Sequence, residues 1–89
     1  GLRELELVGC GLGDDAAEAM AGMPGLAGLR SLSLRDNRLT GRGATALLTS
    51  PHLAGLAYLD LGQNPVRGLD RRALAAAPPG GLRAAEFHG

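Results

Sequence analysis

The 89 residues of this chain carry no net charge at neutral pH, because nine arginines balance nine aspartate and glutamate residues. Nucleic-acid-binding domains typically show a basic excess, so this balance argues against nucleic acid and favours a protein partner. The single cysteine has no internal disulfide partner, which favours a reducing cytoplasm. No apolar stretch is long enough to cross a bilayer, so we expect no membrane contact.

The first apolar pattern lies near the N-terminus, where Leu2, Leu5 and Leu7 stand among polar residues. Alternation with a period of two predicts a short strand whose leucines face a core. Cys10 and Leu12 follow, at the turn that leaves this strand.

A helical composition begins at Asp14 and continues to Gly22. Asp15 and Glu18 have the spacing of a capping box. Adjacent acids could also serve acid-base catalysis or bind a metal, but acids that interact with the helix dipole are the better explanation. The expected inner face of this helix consists of Ala17, Met20 and Ala21.

The same frame recurs 27 residues later, from Leu29 to Leu39, with the spacing L-x-x-L-x-L-x-x-N-x-L. It recurs again from Leu56 to Val66, and a degenerate copy begins at Leu82, with Ala85 in its second apolar place. A fixed period of this length indicates stacked structural repeats. The expected units span residues 1–28, 29–55 and 56–81, with a partial unit at 82–89.

The second and third units predict two more helices. Thr40 is the expected N-cap of the second helix, whose core-facing residues are Ala44, Leu47 and Leu48. In the third helix, Arg71 replaces the small inward alanine, and Leu74 and Ala75 are the expected apolar residues. Each helix is followed by a proline, and then by a leucine in the first two units only, so we expect thinner packing near the C-terminus.

These frames resemble leucine-rich repeats, and the unit length with its helical second half resembles the ribonuclease-inhibitor-like class. The resemblance implies an α/β leucine-rich repeat solenoid, a curved right-handed βα stack whose shared activity is protein binding. Strands about 4.8 Å apart and helices about 8–10 Å apart require such a stack to bend. We therefore expect a parallel sheet of about four short strands on the concave side and short helices on the convex side, with further repeats at both ends.

One polar place recurs in the frame and is occupied by Cys10, Asn37 and Asn64. An asparagine amide at a strand exit can satisfy backbone groups that the turn buries, whereas a thiol donates only weakly. We expect these residues to form a structural ladder. A reactive or metal-binding role for Cys10 lacks a second cysteine or a suitably spaced histidine.

The outward strand positions should align as columns across the concave face. One expected column reads Glu6, Ser33, Asp60 and Glu86; its neighbours read Glu4, Ser31, Tyr58, Ala84 and Val8, Arg35, Gly62, His88. Arg3, Arg30 and Arg83 should form a basic row at the edge. Tyrosine and arginine are favoured interface anchors. The expected partner-binding residues are Glu4, Glu6, Arg30, Ser31, Ser33, Arg35, Tyr58, Asp60 and Glu86.

Two functions fit this sequence. The first is a non-catalytic protein-recognition module that uses the concave face. The alternative is a structural spacer in a larger signalling or regulatory protein whose activity lies in another domain. No nucleophile is paired with a base, and no metal or cofactor motif occurs, so we expect no catalytic, cofactor-binding or metal site.

Overall fold

Each unit runs from a short strand to a helix in the computed structural model, which describes residues 2–69 and 71–84. The strands are β1 (Glu4–Glu6), β2 (Ser31–Ser33), β3 (Tyr58–Leu61) and β4 (Leu82–Ala84). The helices are α1 (Asp14–Ala21), α2 (Gly41–Leu48) and α3 (Arg71–Ala75), and short 3-10 turns occupy Pro24–Leu26 and Pro51–Leu53. This alternation of strands and helices confirms the predicted α/β repeat fold.

The strands form one parallel sheet in chain order, β1-β2-β3-β4. Leu5 pairs with Leu32, and Leu32 pairs with Leu59, so the first three strands align at the 27-residue spacing of the sequence. Leu32 and Leu59 are fully buried, whereas Leu5 is half-buried and Leu2 is 55% exposed. The prediction that Leu2 faces a core is therefore wrong, because no described element covers it at the β1 edge of the sheet.

The fourth strand lies in a different register from the predicted one. Leu82 pairs with Leu59, and Arg83 pairs with Asp60, so Leu82 takes the second apolar place of the frame, not the first. The predicted pairing of Asp60 with Glu86 and of Tyr58 with Ala84 is wrong. Residues 49–57 connect α2 to β3, but only residues 76–81 connect α3 to β4, and this shorter connection brings Leu82 into the sheet sooner.

The core lies between the sheet and the helices. The inward leucines of β2 and β3 pack against the inner faces of α1 and α2, where Ala17, Ala44 and Leu47 are almost completely buried. Leu53 follows the second helix and is also buried, while Leu26 after the first packs against the same cluster. Each fully buried leucine contributes about 1.5–3 kcal/mol to folding.

The third helix departs from the predicted pattern. Its inward residue is Ala73, which is fully buried, whereas Arg71 and Ala75 are exposed. The inner face of α3 thus lies two positions further along the chain than the 27-residue spacing from Ala44 would place it. A cavity of about 70 Å³ lies beside Leu53, Leu56 and Pro79, where the third connector supplies no leucine.

The N-termini of α1 and α2 are stabilised in different ways. The predicted capping box of α1 is wrong: its N-cap is Gly13, which has no side chain to bond. The predicted cap of α2 is confirmed, because Thr40 Oγ1 accepts a hydrogen bond from the backbone N–H of Arg42. Asp14 of α1 also contacts this terminus, accepting bonds from the backbone N–H groups of Thr40 at 2.8 Å and Gly43 at 2.9 Å and from the Thr40 hydroxyl at 2.5 Å.

The environment of Asp14 makes a pH dependence testable. Burial raises the pKa of Asp14, but the hydrogen bonds from Thr40 and Gly43 and the charge of Arg42 outweigh it, so the pKa lies below the usual value of 3.8. The stabilisation is therefore present above pH 3.8 and is lost as the pH falls through the lower pKa of the folded state. We expect Asp14→Asn to cost about 1 kcal/mol at pH 7, and the cost to shrink at pH 2.5, in urea unfolding curves.

Asp15→Asn is the matched control, because the side chain of Asp15 is 97% exposed and, among the described residues, pairs only with Arg42. We expect this variant to unfold almost as the native chain does at both pH values. An equal loss from both variants, or a loss from Asp14→Asn that persists undiminished at pH 2.5, would contradict the assigned role of Asp14.

Candidate functional site

Asn37 links the backbone of its own unit to that of the unit before it. Its Oδ1 accepts bonds from the backbone N–H groups of Cys10 at 2.9 Å and Leu12 at 3.0 Å. Its Nδ2 donates to the carbonyl oxygens of Leu7 and Leu34, each at 2.8 Å, and of Arg35 at 3.2 Å. The amide thus satisfies five backbone groups around the strand exit.

Asn64 makes the same set of bonds one unit later. Its Oδ1 accepts from the backbone N–H groups of Asn37 and Leu39, and its Nδ2 donates to the carbonyls of Leu34, Leu61 and Gly62. The residue is 3% exposed. Both asparagines are therefore committed to holding the units together, and their side chains have no free capacity for a partner.

Cys10 occupies the equivalent place in the first unit and is exposed. Its thiol lies 3.6 Å from the carbonyl oxygen of Val8, at the distance of a weak hydrogen bond. Within the described residues, no group of three or more His, Cys, Asp or Glu side chains could hold a metal ion.

The outward positions of the sheet form the candidate site, and we call this surface the strand face. The Cα register places Glu4, Ser31 and Tyr58 in one row across the strands, with Glu6, Ser33 and Asp60 in the next. Arg35 lies two residues beyond the end of β2 and reaches Asp60 on the same face. The strand face consists of Glu4, Glu6, Ser31, Ser33, Arg35, Tyr58 and Asp60.

Most polar side chains of the strand face are unused by the fold. The two glutamates are exposed, and the two serines and Tyr58 are half-buried. Across residues 2–69 and 71–84, these five side chains make no hydrogen bond or ion pair. The side chains of Asn37, Asn64, Ser50 and Asp14 differ, because each of them bonds to backbone of another unit, and the Thr40 hydroxyl donates to the Asp14 carboxylate of the first unit. The chain thus separates polar groups that hold the units from polar groups that face outward.

Among the described residues, Asp60 and Arg35 are the strand-face residues whose side chains make a polar contact. Asp60 Oδ1 accepts a hydrogen bond from the backbone N–H of Gly62 at 2.8 Å and lies 3.8 Å from Arg35 Nη1. Asp60 is buried, while 37% of the Arg35 side chain is exposed. Together they form a locally neutral pair, so Glu4 and Glu6 give the strand face a negative end at β1.

The predicted basic row at the edge of the sheet is only partly present. Arg30 Nη1 donates to the carbonyl oxygen of Gly55 at 2.8 Å, so this arginine fastens the next connector and does not point freely toward a partner. Along this row, the backbone N–H of Ala57 donates to the carbonyl oxygen of Arg30, and the backbone N–H of Gly80 donates to that of Ala57. The place predicted for Arg83 is thus taken by Gly80. Arg83 therefore lies outside that row. Glu86, which was predicted for the partner-binding face, lies outside the described residues.

Sequence reasoning missed two features of these surfaces. The first is the cluster on the helix side in which Arg42 pairs with Asp15 at 2.7 Å and with Glu18 at 3.1 Å. The second is Gly62, whose lack of a side chain leaves room for the guanidinium of Arg35. A glycine at an outward position of a strand frame often marks the close approach of another group. The sequence could therefore have indicated that a side chain lies over Gly62.

The comparison with family models agrees with the geometry of the first two units. The leucine-rich repeat model matches residues 2–21 and 29–48, which run from each strand into the following helix. This chain is a leucine-rich repeat protein. No curated protein and no solved structure matches it. In the part of the chain that the structure describes, none of the helices has the length and apolar character needed to span a membrane.

Proposed function

We propose that this chain is a non-catalytic protein-recognition module that presents the strand face to a protein partner. The observation that carries the proposal is the division of polar side chains between two tasks. Asn37 and Asn64 are consumed by bonds between units, whereas Glu4, Glu6 and Tyr58 have no polar partner within the described residues. The sheet fixes the backbone of these residues while their polar groups stay unpaired. They can therefore bind a partner with little loss of conformational entropy.

Family membership supports the same function, because leucine-rich repeats commonly mediate protein-protein interaction. We further propose the ribonuclease-inhibitor-like class and a curved right-handed solenoid, since packed helices need more room than paired strands. The strand face would then be concave. The ladder geometry supports further repeats of the same kind beside these units, and the lone cysteine supports a location in the cytoplasm.

Tyr58 is the proposed centre of the contact. It lies between Ser31 on the neighbouring strand and Asp60 on its own, and its ring borders the backbone at Gly81. A half-buried tyrosine offers a large rigid contact with few side-chain torsions to fix, plus a hydroxyl that orients the partner. Truncating such an anchor to alanine typically costs about 2 kcal/mol or more of binding free energy.

Affinity capture with the full chain as bait tests the proposal. We expect Tyr58→Ala to lower the affinity of captured proteins roughly 30-fold, because about 2 kcal/mol is lost at a central anchor. Glu6→Arg should also lower the affinity, because it reverses a charge of the strand face. Met23→Ala truncates a large exposed side chain outside the strand face, and Asp15→Arg makes the same charge change on α1. These two controls should bind as the native chain does, and urea unfolding should show that all four variants fold.

The outcomes separate the alternatives. Weaker binding only in Asp15→Arg or Met23→Ala would contradict the use of the strand face. If none of the four substitutions alters capture, a structural spacer would be the better account of this segment.

A further inference from the structure

Among the described side chains of the strand face, Arg35 carries the positive charge, and its surroundings hold it across the sheet. The guanidinium lies over the backbone of Gly62, since a Cβ at residue 62 would come 2.5 Å from Nη1 and 3.3 Å from Cζ of Arg35. Asp60 Oδ1 is fixed by the Gly62 N–H and lies 3.8 Å from Nη1. The side chain is therefore placed between a glycine and a buried carboxylate, and part of its conformational freedom is already lost.

The hydrogen-bonding capacity of this arginine is unused. A guanidinium has five N–H donors in a planar fork. The distance of 3.8 Å to Asp60 is too long for a hydrogen bond, and none of the hydrogen bonds within the described residues comes from the Arg35 side chain. Since 37% of the side chain is exposed, a group from solution can reach these donors.

Resting on the proposed function, we propose that Arg35 binds a carboxylate of the partner, either an acidic side chain or a chain terminus. The planar fork of an arginine matches the two oxygens of a carboxylate. The negative charges of Asp60, Glu4 and Glu6 on the same face favour a singly charged group over a doubly charged phosphate. The partner segment would place its carboxylate at Arg35 and basic groups over the two glutamates of β1.

A random peptide display library selected on the full chain tests this inference. Selected peptides are resynthesised with Asn or Gln in place of each Asp or Glu, and separately with an amidated C-terminus, so that the two sources of the carboxylate are distinguished. We expect one of these changes to weaken binding to the native chain roughly 10- to 100-fold, the usual effect of a hydrogen bond to a charged group. The same change should have almost no effect on binding to Arg35→Gln, because the two groups are coupled.

Gly62→Ala supplies an independent arm. This variant keeps the arginine, but the added Cβ should displace its guanidinium from the position over residue 62. We therefore expect weaker binding of the carboxylate-bearing peptide and unchanged binding of its amide form. Arg38→Gln removes an exposed cation outside the strand face and should leave both peptides unaffected.

Three results would overturn the inference. Equal losses from the amide change in the native chain and in Arg35→Gln would show that the carboxylate binds elsewhere. The role of Arg35 would be refuted by peptides whose binding is weakened by Tyr58→Ala but needs no carboxylate, and the proposed function would then remain intact. If neither Tyr58→Ala nor Glu6→Arg weakens any selected peptide, the proposed function fails and this inference fails with it.

Discussion

Replacing Asn64 with alanine is expected to lower the free energy of unfolding by about 3 kcal/mol, the largest effect that we expect from a single polar side chain among the described residues. The amide satisfies five backbone groups that come from two neighbouring units, and the residue is 3% exposed. Water cannot easily replace these bonds, so the donors and acceptors would stay unpaired. For a domain of this size, the loss corresponds to a fall in Tm of roughly 12–24 °C.

A graded series provides the control for this prediction. Asn37→Ala should cost less, about 2 kcal/mol, because the N–H groups that it leaves belong to Cys10 and Leu12 at the exposed end of the stack. Cys10→Ala should have almost no effect, since its thiol is exposed and makes one weak bond. Urea unfolding of the three variants measures the order. A loss from Cys10→Ala that equals the loss from Asn64→Ala would contradict the ladder.

The second large effect is expected at Gly41, the first residue of α2. Alanine in place of glycine usually stabilises a helix by about 0.5–1 kcal/mol. Here the added Cβ would overlap the backbone carbonyl oxygen of Arg67, which the loop after the third strand presses against this turn. Backbone atoms cannot move aside as a flexible side chain can, so we expect Gly41→Ala to destabilise the protein by about 2 kcal/mol.

Gly25→Ala is the matched control for Gly41→Ala. Gly25 lies in the 3-10 turn after α1, and a Cβ there would meet no atom within 4 Å. We expect this variant to be as stable as the native chain or slightly more stable in the same unfolding experiment. Similar behaviour of the two alanine variants would show that residues 65–68 do not pack against α2 as described.

The first two units could be predicted from the sequence because each of their landmarks occurs twice at one spacing. Leu32 and Leu59 pair in the register that the 27-residue period implies, and Thr40 caps the second helix as its place in the pattern suggests. In β1 and β2, the inward position carries leucine and the outward positions carry glutamate or serine. The residue type alone therefore distinguishes the two sides of the sheet.

The third unit could not be predicted in the same way. Two prolines and two glycines lie between Ala77 and Leu82, with no leucine of the kind that the first two connectors have, so the sequence offers no landmark that fixes the register of the fourth strand. The length of the connector after α3 decides that register, and this connector is shorter than the one in the preceding unit. Leu82 consequently pairs with Leu59, which moves Arg83 beside Asp60 in the backbone ladder.

Contacts between different units that involve side chains also could not be predicted from the sequence. Asp14 bonds to Thr40 and Gly43, which lie 26 and 29 residues away, and helical composition alone suggested a role only within α1. The position of Arg35 over Gly62 depends in the same way on two strands lying side by side. Such pairs become visible only when the units are stacked, because the relevant spacing lies across the stack and not along the chain.

The asparagine bonds have a direction, and this direction bears on how such a chain can grow. Each asparagine completes the backbone of the unit that precedes it, as Asn64 does for residues around Asn37. Consider a duplicated 27-residue segment inserted between the second and third units. Its own asparagine would bond to the backbone of the unit before it, and Asn64 of the unit after it would bond to the backbone of the inserted segment. Both junctions would be satisfied at once. A gene encoding this fold could therefore lengthen by tandem duplication without passing through an intermediate that needs compensating mutations.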